Sequence, residues 1–144
     1  MKKILVLVCM VLFLGSLVSV EHATAADRFV NNKDGTVTDT QTGLMWADHD
    51  NDSDINWNTA KSYCEGYSGG GKSGWRMPTL DELAQLYNSG AYGSAIKKTG
   101  YYVWSSDTRG SEAAFFDFYH GYRDWLFQSF SDGLLRGIPV HSGK

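Results

Sequence analysis

The pattern of hydrophobic and polar positions changes character several times along the chain. Residues 4–20 are an almost unbroken apolar run, preceded by Lys2 and Lys3 and followed by Ala23-Thr24-Ala25. A charged start, an apolar middle and a small-residue end make a secretory signal peptide, read here over residues 1–25. Glu21 and His22 interrupt the run, and Gly15, Ser16 and Ser19 dilute it, which favours a cleaved signal over a permanent membrane span. Cys9 lies inside the apolar run behind Val8, where lipidation needs a small residue. The expected product is exported, unlipidated and without a membrane span, in the periplasm or secreted.

Beyond residue 27 the apolar run gives way to short alternating pieces separated by turn signals. Phe29-Val30, Thr36-Val37-Thr38-Asp39 and Leu44-Met45-Trp46 alternate around Asp34-Gly35 and Thr42-Gly43, which predicts a small antiparallel meander. The stretch Asp48-His49-Asp50-Asn51-Asp52-Ser53-Asp54 is too polar for a core and reads as a solvated loop. Helical spacing follows. Trp57, Ala60, Tyr63, Cys64 and Tyr67 share one face behind the cap candidate Asn56, and Gly69-Gly70-Gly71 ends that helix.

Thr79-Leu80-Asp81-Glu82 has the form of a capping box, and Leu80, Leu83, Leu86 and Tyr87 then line a second helix closed by Asn88-Ser89-Gly90. The remainder turns β-like, with strands expected over 101–104, 114–119, 125–130 and 134–140. Two helices set among short, mostly antiparallel strands make an α+β fold, expected as a single domain over residues 27–142.

Composition sharpens this picture. All the tryptophans and tyrosines, and every phenylalanine but Phe13, lie beyond the signal, so large rings must serve both core and surface. The formal net charge is −3, and removing Lys2, Lys3 and Glu21 makes the remainder one unit more negative. That disfavours nucleic acid as a partner. Cys64 is the only cysteine beyond the signal, so no intramolecular disulfide can form there, and burial on the helix face is its expected state.

Several pieces, in this order, carry a resemblance. They are Asp34-Gly35-Thr36-Val37-Thr38-Asp39, Thr42-Gly43-Leu44-Met45-Trp46, Trp57 with Ala60 and Cys64, Gly74-Trp75-Arg76-Met77-Pro78-Thr79 with Glu82-Leu83, Trp104-Ser105-Ser106, and Pro139-Val140-His141-Ser142-Gly143. Together they resemble the Lcl C-terminal domain family, named from a collagen-like bacterial adhesin. The resemblance implies a C-type-lectin-like fold, shared distantly with formylglycine-generating-enzyme-type domains, and it implies no established catalytic activity. Two departures stand out. His141 replaces a common arginine, and Gly137 or Ile138 occupies the region where many members carry a second cysteine.

Each constellation has a structural and a functional reading. In Gly74-Trp75-Arg76-Met77-Pro78-Thr79, Pro78 sets the helix entry, Thr79 caps it, Trp75 anchors the loop and Arg76 holds a carbonyl or carboxylate, so the motif explains itself structurally. Asp48, Asp50, Asp52 and Asp54 have the alternate spacing of a calcium loop, but Ser53 stands where glycine is needed and Thr59 where glutamate is needed. Calcium is therefore the one cofactor the sequence suggests, against a merely solvated acidic loop.

His49, His120 and His141 lack metal-ligand spacing, the copper-binding cysteine pair of formylglycine-generating enzymes is absent, and no nucleophile, base and orienter are grouped. A non-enzyme is expected. Tyr119, Tyr122 and Arg123 flank the Gly121 turn, while Asp107 and Arg109 follow Trp104; Trp104 and Trp125 themselves read as core. Exposed rings beside planar polar groups suit stacking on sugar faces. These residues are the candidate surface for a carbohydrate or an envelope protein. A structural or regulatory module without a small ligand, and an enzyme of formylglycine-generating type, are the alternatives.

Overall fold

The computed structural model describes residues 25–144, and the signal peptide expected over residues 1–25 lies outside them apart from its last residue. A single helical turn, α1 (Ala25–Arg28), leads into the predicted meander: β1 (Phe29–Asn31), β2 (Thr36–Asp39) and β3 (Met45–Ala47), all antiparallel. The reversals fall at the glycine signals, with Gly35 at φ +88° and Gly43 at φ +76°, where a side chain would be strained. A fourth strand, β8 (Val140–His141), pairs with β3 to give the order β1-β2-β3-β8.

The two predicted helices form where their caps are. Asn56 accepts the Thr59 amide at 2.9 Å to start α2 (Trp57–Glu65), which ends at Gly66, earlier than the spacing suggested. Tyr67 lies beyond the helix, where its hydroxyl donates to the Gly35 carbonyl at 2.6 Å and its ring meets Trp75 edge-on. In α3 (Leu80–Ser89) both halves of the capping box are made, and Gly90 closes the helix in the left-handed region. Arg76 does what its motif promised: it donates to both Glu82 carboxylate oxygens, at 2.7 and 2.9 Å, and to the Met77 carbonyl.

The second sheet has the order β6-β5-β4-β7 and consists of β4 (Tyr102–Arg109), β5 (Glu112–Asp117), β6 (Tyr122–Phe127) and β7 (Leu135–Arg136). Only the β4–β7 pairing is parallel. The strands depart from the expected bounds. The strand expected over 114–119 ends at Asp117 because that carboxylate accepts the Tyr119 and His120 amides and turns the chain. The strand expected over 125–130 begins three residues earlier, and that expected over 134–140 splits into β7 and β8, one in each sheet. A bulge interrupts β4 between Trp104 and Thr108, where Ser105 folds inward to donate to the Ala114 carbonyl.

Two apolar clusters fill the interior. One joins the first sheet, α3 and Phe116; the other surrounds Cys64, Met77, Trp104 and Phe115. Cys64 is fully buried, and burial pushes its thiol well above the ordinary value. Trp104 is fully buried as expected, whereas Trp125 is half-buried. Among the described residues no helix is long and apolar enough to cross a membrane.

Three carboxylates make the fold acid-sensitive. Burial alone would raise Asp39, Glu82 and Asp117, yet all three are held below the usual carboxylate range: Asp39 by Arg28, Thr42 and the Gln41 amide, Glu82 by Arg76 and the Thr79 amide, and Asp117 by His120 and two backbone amides. Their folded values lie below the ordinary 3.8 of aspartate and 4.5 of glutamate, so the stabilisation is complete above those values and is lost as pH falls through the folded ones. Thermal melts should hold nearly level from neutrality to about pH 5 and fall steadily below about pH 4. A melting temperature unchanged at about pH 2 would contradict this assignment.

Candidate functional site

The β5–β6 turn builds an aromatic ledge. Asp117, buried at the end of β5, accepts the Tyr119 amide at 2.7 Å, the His120 amide at 3.1 Å and His120 Nδ1 at 2.8 Å. An ionised carboxylate only accepts, so Nδ1 carries a proton and the imidazole is fixed in place. Gly121, at φ +79°, completes the reversal and lies against the Tyr87 ring, leaving no room for a Cβ.

With the turn locked, its rings are ordered in a row. Tyr101 meets Tyr119 edge-on at 5.5 Å, Tyr119 meets His120 at 4.6 Å, and His120 stacks on Tyr122 at 5.8 Å. The Lys98 ammonium stands 4.6 Å over Tyr101. Tyr119 is 68 % exposed, Tyr122 49 % and Tyr101 39 %, too open for core rings. Local desolvation and the Asp117 carboxylate raise the Tyr122 phenol above its ordinary value. Arg123, also exposed, reaches Asp81 on α3 at 3.3 Å.

Of the predicted surface residues, Tyr119, Tyr122 and Arg123 fall together, but Asp107 and Arg109 do not join them. The register pairs Tyr102 with Asp117 at the ledge end and Arg109 with Glu112 at the other, so Arg109 lies about 20 Å away along the strand. Arg109 binds Glu112 at 2.8 Å and covers the Trp125 ring at 4.3 Å. Asp107 accepts the Leu80 amide at 2.8 Å, which makes it a second anchor for the α3 N-terminus. Tyr101, Lys98 and His120 were missed; the signal available was the aromatic pair Tyr101-Tyr102 beside two lysines, which read only as a strand start.

The acidic loop is placed differently from its spacing. Asp50 is fully buried, and its carboxylate accepts the Tyr92 hydroxyl, the Thr99 amide and hydroxyl, and the Asp52 amide. Asp54 pairs with Arg136 at 2.6 Å and Asp48 with His49. Asp48, Asp50 and Asp54 thus each have a protein partner, while the Asp52 side chain is exposed. Among the described residues no group of three or more histidines, cysteines, aspartates or glutamates is placed to hold a metal ion. The remaining described histidine, His141, accepts the Gly143 amide at Nδ1 and donates from Nε2 to the Ser73 carbonyl.

No curated protein matches the chain. The model of the Lcl C-terminal domain matches residues 35–136, a span that runs from the first meander through the ledge to β7. The chain thus belongs to the Lcl C-terminal domain family.

Proposed function

We propose that this is an exported, non-catalytic binding domain that recognises carbohydrate at the cell envelope through the ledge of Tyr101, Tyr119, His120 and Tyr122. The observation that carries the reading is the row of exposed rings held in mutual contact by a buried carboxylate. A folded chain leaves contiguous rings in water at a cost, and rings fixed before binding lose little freedom when a ligand arrives. Sugar C–H faces stack on such rings, while Lys98 and Arg123 at the margins offer donors to hydroxyls. The argument for a non-catalytic role is that each described histidine is engaged by a nearby partner and the one described cysteine, Cys64, is buried.

The test is a glycan array probed with the full protein and with the double variant Tyr119→Ala/Tyr122→Ala. Each ring is worth about 1 kcal/mol or more in stacking, so the variant should lose at least about tenfold in signal. A blank array for the native protein, with envelope proteins co-purifying instead, would favour the module without a small ligand.

A further inference from the structure

A second place, away from the ledge residues, is built for a small ligand. α2, the loop before α3 and the bulge in β4 enclose a cleft of about 310 Å³, lined by Trp57, Lys61, Glu65, Arg76, Met77, Thr79, Ser106 and Thr108. Its walls are tied to each other. The Ser106 amide donates to the Pro78 carbonyl at 2.8 Å, and the Trp57 amide donates to the Gln128 carbonyl at 3.1 Å. The half-buried Trp57 ring is itself fixed, because its indole N–H donates to the Ser105 carbonyl at 2.8 Å. The bulge places both Ser106 and Thr108 on the cleft, although Ser105 between Trp104 and Ser106 points inward.

We propose that this cleft binds one neutral sugar ring, with Trp57 as the stacking face and the hydroxyls of Thr79, Ser106 and Thr108 as its polar contacts. The inference takes its ligand class from the carbohydrate reading above but uses none of its residues. Size sets the first limit: the volume is at the lower end of small-molecule sites and suits a single ring.

Charge sets the second. Lys61 pairs with Glu65 one turn along α2, and Arg76 is held bidentately by Glu82, so both cations on the cleft are already matched. An anionic ligand would have to compete with these carboxylates, whereas an uncharged one leaves both pairs intact. Hydrogen-bonding capacity sets the third. Among the described residues the Ser106 and Thr108 side chains have no partner, and Thr79 Oγ1 accepts the Glu82 amide while keeping its own proton to donate. One aromatic face opposite several hydroxyls, without net charge, matches a pyranose better than it matches an anion or an apolar ring.

The experiment follows the Trp57 indole N–H resonance of the full protein while methyl glucoside, methyl galactoside, methyl mannoside and glucuronate are added in turn. At least one neutral glycoside should move it saturably, with an affinity on the order of millimolar. The exposed Thr108→Trp, which fills the cleft without touching the core, should weaken that response by at least about tenfold, whereas Tyr119→Ala/Tyr122→Ala should leave it unchanged. Trp57→Ala can fail to fold, so the Thr108 variant carries the decision.

No movement with any neutral glycoside overturns the proposal, as does a response that survives Thr108→Trp or vanishes in the tyrosine variant. Glucuronate binding about tenfold tighter than methyl glucoside would overturn the neutral assignment. The two readings fail separately. A tyrosine-dependent array signal without a Trp57 response leaves the ledge standing alone, and a Trp57 response with a blank array removes the ledge alone.

Discussion

Replacing Asp50 with alanine is expected to destabilise the domain by about 3–5 kcal/mol. The side chain is fully buried and accepts from the Tyr92 hydroxyl, the Thr99 amide, the Thr99 hydroxyl and the Asp52 amide. Alanine would leave these donors without an acceptor, and each orphaned buried donor costs about 1–3 kcal/mol. The damage would spread further, because Thr99 Oγ1 also accepts from Arg136 Nε at 2.8 Å, and Arg136 in turn holds Asp54. Burying the carboxylate has its own desolvation cost, which is why the estimate stays below the sum of the bonds. Asp50→Asn keeps the shape but swaps one acceptor for a donor, and should lose roughly half as much. Urea unfolding with an unchanged slope would measure both. A loss under about 1 kcal/mol for the alanine variant would show that the loop is solvated after all.

Trp104→Ala is expected to cost a similar amount, about 3–5 kcal/mol, by a different route. The ring is fully buried in the cluster of Cys64, Met77 and Phe115, and its indole N–H donates to the Ile55 carbonyl at 2.8 Å. Alanine opens a cavity the size of an indole and strands a carbonyl. Trp104→Phe fills most of the space and loses mainly the hydrogen bond, so about 1–2 kcal/mol should separate it from the native protein. Equal losses for the two variants would mean that the bond matters more than the volume. Because small domains hold about 5–15 kcal/mol in total, either alanine variant should melt far below the native protein.

How far the sequence could be read follows from the distance over which each feature is decided. Asn56, the Thr79 and Glu82 pair, Gly90, Gly35 and Gly43 act within a few residues of themselves, and their helices and turns form as expected. Strand ends in the second sheet were misplaced because Phe118 and Phe130 look like strand residues. What ends β5 is the Asp117 carboxylate drawing in two amides, a contest that β-propensity does not register.

Asp50 shows the same limit at longer range. Its alternate spacing with Asp48 and Asp52 suggested solvent or a cation, yet its partners Tyr92 and Thr99 lie more than forty residues on. The ledge was half legible, since Tyr119, Tyr122 and Arg123 flank a glycine turn, while Tyr101 comes from another segment. The cleft was illegible, because it draws on α2, the loop before α3 and a bulge that no local pattern announces.

The pairing of β8 with β3 has a consequence for how the chain reaches this state. Met45 faces His141 and Trp46 faces Val140, so the sheet begun by the first described strands is completed by the last. During synthesis, which runs from the amino terminus, β1 to β3 must wait with one edge open until nearly every other described residue has been made. Pairing between segments so far apart in sequence slows folding, because the long loop between them must close before the contact forms. An open strand edge is a template for pairing with another chain, so the delay leaves the folding molecule exposed to misassembly until β8 arrives.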